Sequence, residues 1–218
     1  MSGVRAAAAR LGPAARTPSA EALLERKNMT NRHFVFIEGS SRRDGNSAAL
    51  ASKAREHLPE GATSEWLNLA DLPLADFEDP RGPEGASQVY PDGNEGVLLA
   101  ATLRATDLVL VSPLYWYTVS APMKRYLDYW SGWLNITGLR FRRQMAGRTL
   151  WGVTVGHADD PGQADGLATS LKFSADYMAM RWGGLLYGIG DRPGDVLRDT
   201  AALRAAETWF SAALVGAE

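Results

Sequence analysis

Cysteine is absent from all 218 residues, which excludes disulfides, thiolate-bound metals, iron–sulfur clusters and cysteine nucleophiles. That absence is compatible with a reducing compartment, and a cytoplasmic location is expected. Histidine is scarce, with three residues, and the formal net charge is only -2. No long run of one sign occurs, so the electrostatic basis for holding nucleic acid is missing. No window approaches the roughly 20 apolar residues of a membrane span, and none is expected. What is present suffices for one domain of ordinary to large size with a substantial core.

Residues 1–28 differ in kind from the remainder. They are rich in Ala and Arg and have two prolines and no large aromatic residue. They lack the continuous apolar region of a secretory signal and are only weakly like a transit peptide. The stretch MTNRHFVFIEG from Met29 leads straight into a strand. The expectation is therefore a domain over 29–218 behind a disordered leader that reflects an over-long gene start. The leader carries five basic and two acidic residues, which leaves -5 on the domain.

Continuous apolar runs closed by glycine or proline mark strands buried on both faces at 33–39, 107–112, 148–156 and 182–190, and an alternating run at 63–69 adds another. Helical composition or spacing follows each. The first helix starts at Asn46 or Ser47, either able to cap it. Others cover 94–107, a segment entered by Ser120 and Pro122 with Met123, Tyr126, Leu127, Trp130 and Leu134 in register, about 163–180, and 195–214. Five strands alternating with five helices predict a three-layer α/β sandwich around a parallel sheet. Ligands of such sheets bind outside the carboxyl ends of the strands. The linker over 74–95, rich in Pro, Gly and acid, is either a lid or partner surface or a plain flexible connection.

Three strand-end loops carry chemistry. GSSRRDGNSAAL after strand one offers Ser40, Ser41, Ser47, Asn46, Arg42, Arg43 and free N–H groups at a helix start, all donors to an anion. It has neither the G-x-G-x-x-G spacing nor a G-K-[ST], so a monophosphate suits it better than a dinucleotide or triphosphate. A capped turn with two solvated arginines is the alternative. After strand three, SPLYWYTVSAP puts Tyr115, Trp116 and Tyr117 in consecutive loop positions behind Pro113, as a platform for a flat ring, a helix-entry staple or a dimer surface. After strand four, GHADDPGQAD contributes Gly156 and His157, the latter a hydrogen-bonding contact, a proton relay or a helix cap. Asp159 and Asp160 lack further ligands for a metal, and no metal is expected. A flat heterocycle bearing one phosphate answers all three loops, and FMN is such a molecule.

The segments GSSRRDGNSAAL and SPLYWYTVSAPMKRYLD resemble the phosphate loop and the SP-x-Y…P-x-K-x-x-x-D segment of the flavodoxin-like NAD(P)H-dependent FMN reductase and quinone reductase superfamily. Ser112, Pro113, Tyr115, Pro122, Lys124 and Asp128 stand in register, and the likeness runs from about 33 to the chain end. The resemblance implies a flavodoxin-like sheet of order 2-1-3-4-5. It implies that Ser40, Arg42, Asn46 and Ser47 hold the FMN phosphate, that Pro113, Leu114, Tyr115 and Trp116 line the isoalloxazine, and that Gly156 and His157 meet its polar edge or the ribityl chain. It points to Arg42 rather than Arg43 on the phosphate. A related branch carries a cysteine cluster that this chain lacks.

The same resemblance implies hydride transfer from NADH or NADPH through the flavin to a small-molecule electron acceptor, quinone-like or otherwise electrophilic. No required acid or nucleophile is implied; Tyr115, Tyr117 and His157 are candidates to orient the acceptor. It also suggests a homodimer or homotetramer. Arg140, Arg142 and Arg143 are either a 2′-phosphate contact or solvated surface. The main rival is a non-enzymatic flavodoxin-like electron carrier, for which a domain charge of -5 is a weak version of the expected acidity. A phosphoacceptor receiver lacks its strand-three aspartate, and an α/β hydrolase lacks G-x-S-x-G.

Overall fold

The structure is a computed structural model that describes residues 32–79 and 89–211. The expected leader over 1–28, with its proposed boundary at Met29, and the middle of the 74–95 linker lie outside the described residues. Five strands, β1 (His33–Glu38), β2 (Thr63–Asn68), β3 (Asp107–Val111), β4 (Thr149–Gly156) and β5 (Arg181–Ile189), form one parallel sheet in the order β2-β1-β3-β4-β5. This is the flavodoxin-like three-layer architecture that the alternation of elements predicts. Among the described residues six α-helices accompany it: α1 (Asn46–Glu56), α2 (Gly93–Arg104), α3 (Ala121–Trp133), α4 (Phe141–Met145), α5 (Asp165–Tyr177) and α6 (Thr200–Thr208).

Strand position explains the sequence pattern. β3 and β4 are buried at every residue and read as unbroken apolar runs, whereas edge strand β2 is half-buried and alternates. Successive β1 residues point to opposite faces. Val35 and Ile37 join one core with α2, α3 and α5, and Phe34 and Phe36 join the other with α1 and α6. The β4–β5 register shifts at Leu150/Trp151, which leaves Gly183 as the extra residue. A Cβ there would meet the Trp151 ring at 2.3 Å, so glycine lets the indole close over the strand.

Three local expectations need correction. The first helix is entered through Gly45, with no side-chain cap, instead of through Asn46 or Ser47. The closing helix does not run unbroken from 195: a 3-10 turn, Asp195–Arg198, precedes α6 because Asp199 Oδ1 accepts from the N–H groups of Ala201 and Ala202 and starts a new helix there. Likewise a 3-10 turn, Pro161–Ala164, precedes α5. The entry to α3 is as expected, with Ser120 accepting from Met123 N–H and Pro122 in the first turn.

Candidate functional site

The sheet order places the carboxyl ends of β1 and β3 side by side at the point where the winding reverses, with β4 next to β3. Short backbone bonds extend that alignment into the loops: Gly39 N–H donates to Val111 O at 2.8 Å, and Ser112 N–H to Val153 O at 3.0 Å. Ser120 Oγ donates to Gly39 O at 2.6 Å, so the start of α3 is tied to the end of β1. Gly39 is required at this junction, since a Cβ would come within 2.8 Å of the Met123 Cβ. The three loops singled out in the sequence therefore open onto a common edge.

A cavity of about 270 Å³ lies at that edge, lined by Ser40, Arg42, Gly45, Asn46, Ser47, Pro113, Leu114, Tyr115, Val155, Gly156, His157, Gly190 and Asp191. Nine of the ten residues expected at a flavin site share it. Trp116 does not: its side chain is 92% exposed outside the cavity. Tyr117 also stands outside it, while Tyr115 lines the wall and remains half-exposed.

One end of the cavity is built of donors. Ser40 and Ser47 are buried, and Ser40 Oγ accepts from Arg42 N–H at 3.0 Å, which folds the loop back on itself. The first intrahelical bond of α1 runs from Ala49 N–H to Gly45 O, so the N–H groups of Asn46, Ser47 and Ala48 precede it without helical acceptors. Among the described residues the Arg42 guanidinium has no hydrogen-bond or ion-pair partner. Arg43 points elsewhere, its guanidinium 2.5 Å from an Asp71 carboxylate oxygen and 77% exposed.

Asn46 behaves differently from the simple expectation of a phosphate ligand. Its Nδ2 donates to Arg192 O at 2.9 Å, and its Oδ1 accepts from Gly194 N–H at 2.9 Å. The amide thus ties the cradle to the loop after β5, with one Nδ2 hydrogen and the backbone N–H remaining as donors. Gly190 allows this closeness, because a Cβ there would lie 2.9 Å from Asn46 Nδ2.

The other end is apolar or backbone-lined, with Pro113, Leu114, Val155 and Gly156. A Cβ at Gly156 would meet Tyr187 Oη at 2.2 Å, so only glycine leaves room for that phenol, which donates to Ala158 O at 2.7 Å. Burial first, then the carboxylates of Asp160, Asp159 and Asp199, push the Tyr187 hydroxyl above its ordinary range and keep it a neutral donor. Behind the cradle, Glu38 is buried with Oε2 accepting from Trp66 Nε1 at 2.9 Å and Oε1 without a partner. Burial is the main cause that raises its pKa; Trp66 and Asn68 oppose that, Asp71 adds to it and Arg43 opposes it.

A fourth wall, Gly190 and Asp191 after β5, lies outside the three loops singled out in the sequence. The rule that directs attention to strand ends applies there equally, and the Gly-Asp pair following a strand was its visible signal. The arginines of 140–143 sit at the opposite edge of the sheet, just before β4. There they rim a separate cavity with Leu134 and Phe141, and Arg142 lies 5.4 Å over the Tyr177 ring. They are not part of the β-carboxyl-edge site. No metal-binding cluster of His, Cys, Asp and Glu occurs among the described residues, and none of their helices is long and apolar enough to cross a membrane.

An open doubly wound sheet of order 2-1-3-4-5 with a cavity at its switch point defines the flavodoxin-like class. The chain belongs to the NADPH-dependent FMN reductase family, whose profile matches residues 33–180. It is 32% identical over 176 residues, 79% of this chain and 93% of the other, to YwqN of Bacillus subtilis, provisionally named an NAD(P)H-dependent FMN-containing oxidoreductase. It is 29% identical to an iron–sulfur flavoprotein of Methanocaldococcus jannaschii, MJ1083, covering 79% of this chain and 90% of that one. Among solved structures, the Trp repressor binding protein from Bacillus subtilis superposes with a TM-score of 0.64 at 25% identity, covering 85% of this chain and 99% of that one.

The protein is thus an oxidoreductase of the FMN and NAD(P)H type. The donor set fits the cofactor: a one-sided cluster of N–H, hydroxyl and guanidinium groups at one end, and an apolar wall at the other. With no cysteine in the chain, an iron–sulfur centre ligated by thiolates has no ligands here.

Proposed function

We propose that the cavity holds FMN with its phosphate on the 40–47 loop and its ring system against Pro113, Leu114, Tyr115, Gly156 and His157. The protein then passes two electrons from NADH or NADPH to a quinone-like or other electrophilic small molecule. The observation that carries this reading is the convergence of the three loops on one cavity that Arg42 lines, its guanidinium without a partner among the described residues. Bound flavin would supply hydride acceptance and donation, chemistry that no side chain of this protein provides.

The chain's own residues would do the rest. Ser40, Ser47, Arg42 and the N–H groups opening α1 neutralise a phosphate through short charge-assisted hydrogen bonds. Asn46 holds the β5 loop against that cradle. Pro113, Leu114 and Val155 exclude water from the ring, and the backbone around Gly156 and His157 faces its polar edge. His157 and Tyr115 are placed to orient an acceptor by hydrogen bonding, with no proton transfer from either required.

The test is equilibrium binding of FMN and of riboflavin to the purified protein, followed by NADH and NADPH oxidation with and without 1,4-naphthoquinone. Preference for FMN over riboflavin and quinone-dependent oxidation are expected. Binding of FMN without nicotinamide oxidation would sink the proposed electron transfer while leaving the cofactor site intact.

A further inference from the structure

Trp116 and Tyr117 are both held in the left-handed region, with φ of 50° and 66°. They form the tip of a two-residue turn closed by reciprocal bonds, Tyr115 N–H to Thr118 O at 3.0 Å and Thr118 N–H to Tyr115 O at 3.1 Å. A turn with positive φ at both central positions strongly prefers Asn-Gly, because any larger side chain is crowded against its own backbone. Here two of the largest side chains occupy it. Packing does not compensate, since Trp116 is 92% and Tyr117 60% exposed.

The base of this turn is fixed on several sides. Tyr115 lines the flavin cavity, Ser112 Oγ accepts from Ser120 N–H at 2.9 Å across the loop, and the Tyr117 carbonyl reaches so close to α5 that a Cβ at Gly166 would lie 2.8 Å from it. A strained conformation that the fold fixes and leaves exposed beside a binding cavity is a mark of a functional surface.

We propose that the Trp116–Tyr117 turn is a preformed stacking platform for the planar co-substrate of the flavin, a nicotinamide or quinone ring, and that Trp116 sets the preference for flat acceptors. This rests on the FMN reading of the adjacent cavity. Trp116 lies outside the cavity wall that Tyr115 forms, so its indole is offered to whatever approaches the mouth and not to the buried ring. Fixing the backbone beforehand removes much of the ordering cost that a mobile aromatic loop would impose on binding.

The experiment compares wild type with the double variant Trp116→Asn/Tyr117→Gly and with Trp116→Phe. Relief of the left-handed strain raises the Tm of the double variant by several degrees, and FMN affinity changes little. Aromatic stacking on nucleic-acid bases, about 1–3 kcal/mol each, sets the scale for the kinetic effect, a roughly 5- to 150-fold rise in KM for 1,4-naphthoquinone. The KM for ferricyanide, an octahedral anion unable to stack, stays close to wild type, and Trp116→Phe retains most of the quinone affinity.

A fall in Tm or failure to fold overturns the premise of uncompensated strain. A raised Tm with an unchanged naphthoquinone KM overturns the platform. So does a drop in sedimentation mass with unchanged KM, which assigns the turn to contact with a second copy. Absence of FMN binding in the wild type would instead refute the cavity reading on which the proposal stands.

Discussion

Replacing Arg42 by alanine is expected to weaken FMN binding by about 10- to 150-fold, because a charge-assisted hydrogen bond contributes roughly 1.5–3 kcal/mol and each 1.4 kcal/mol is a decade in Kd. Arg42 lines the cavity and has no other partner among the described residues, so its guanidinium is available to a phosphate without breaking an existing pair. Arg43 is the control. It is 77% exposed and engaged with Asp71, so its removal costs the phosphate only a remote charge. At about 10 Å in water that charge is worth roughly 0.4 kcal/mol, or about twofold, before salt screening and the release of Asp71. Titration of apoprotein with FMN and with riboflavin, followed by quenching of flavin fluorescence, separates the contributions. Arg42→Ala should lose affinity for FMN and leave riboflavin almost unchanged, since riboflavin has no phosphate. Equal losses in the two alanine variants, or an equal loss of riboflavin affinity in Arg42→Ala, would refute the assignment.

Gly156→Ala places a methyl 2.2 Å from Tyr187 Oη. Overpacking of this kind typically costs about 1–3 kcal/mol, and a lowered denaturation midpoint with impaired FMN binding is expected; wild-type values for both would contradict the close approach. Glu38→Gln addresses a buried carboxyl whose pKa is raised above its ordinary 4.5 chiefly by burial. A raised folded value means that its added stability is fully present below 4.5 and is lost as pH rises through the folded pKa. Melting curves across pH should therefore show the variant gaining on wild type as pH rises, and parallel curves would exclude the linkage.

The sheet was legible because interior parallel strands must be apolar on both faces, as in Phe34–Val35–Phe36–Ile37 and Leu108–Val109–Leu110–Val111. The entry to α3 was legible for a chemical reason, Ser120 and Pro122 being suited to the two positions they occupy. α4 was missed because five residues with two arginines offer only Phe141 and Met145 as a buried pair. Nor does composition reveal commitments made at long range. The Asn46 amide is taken by residues 192 and 194, and Arg43 by Asp71, pairings fixed only once the β5 loop and the turn after β2 fold against the cradle. Trp116 belongs to the same class. Three consecutive aromatics mark an exposed loop, but the left-handed turn that directs the indole away from the cavity is set by the bonds at Tyr115 and Thr118.

Every proposed role above requires the cavity at the β1–β3 switch point to be a flavin site. The measurement that tests it most directly is the absorption spectrum of the purified protein after incubation with FMN and removal of free flavin, followed by addition of NADH or NADPH without oxygen. A yellow protein whose flavin band bleaches with reduced nicotinamide and returns on adding 1,4-naphthoquinone is the predicted result. Protein that stays colourless after exposure to FMN would contradict it.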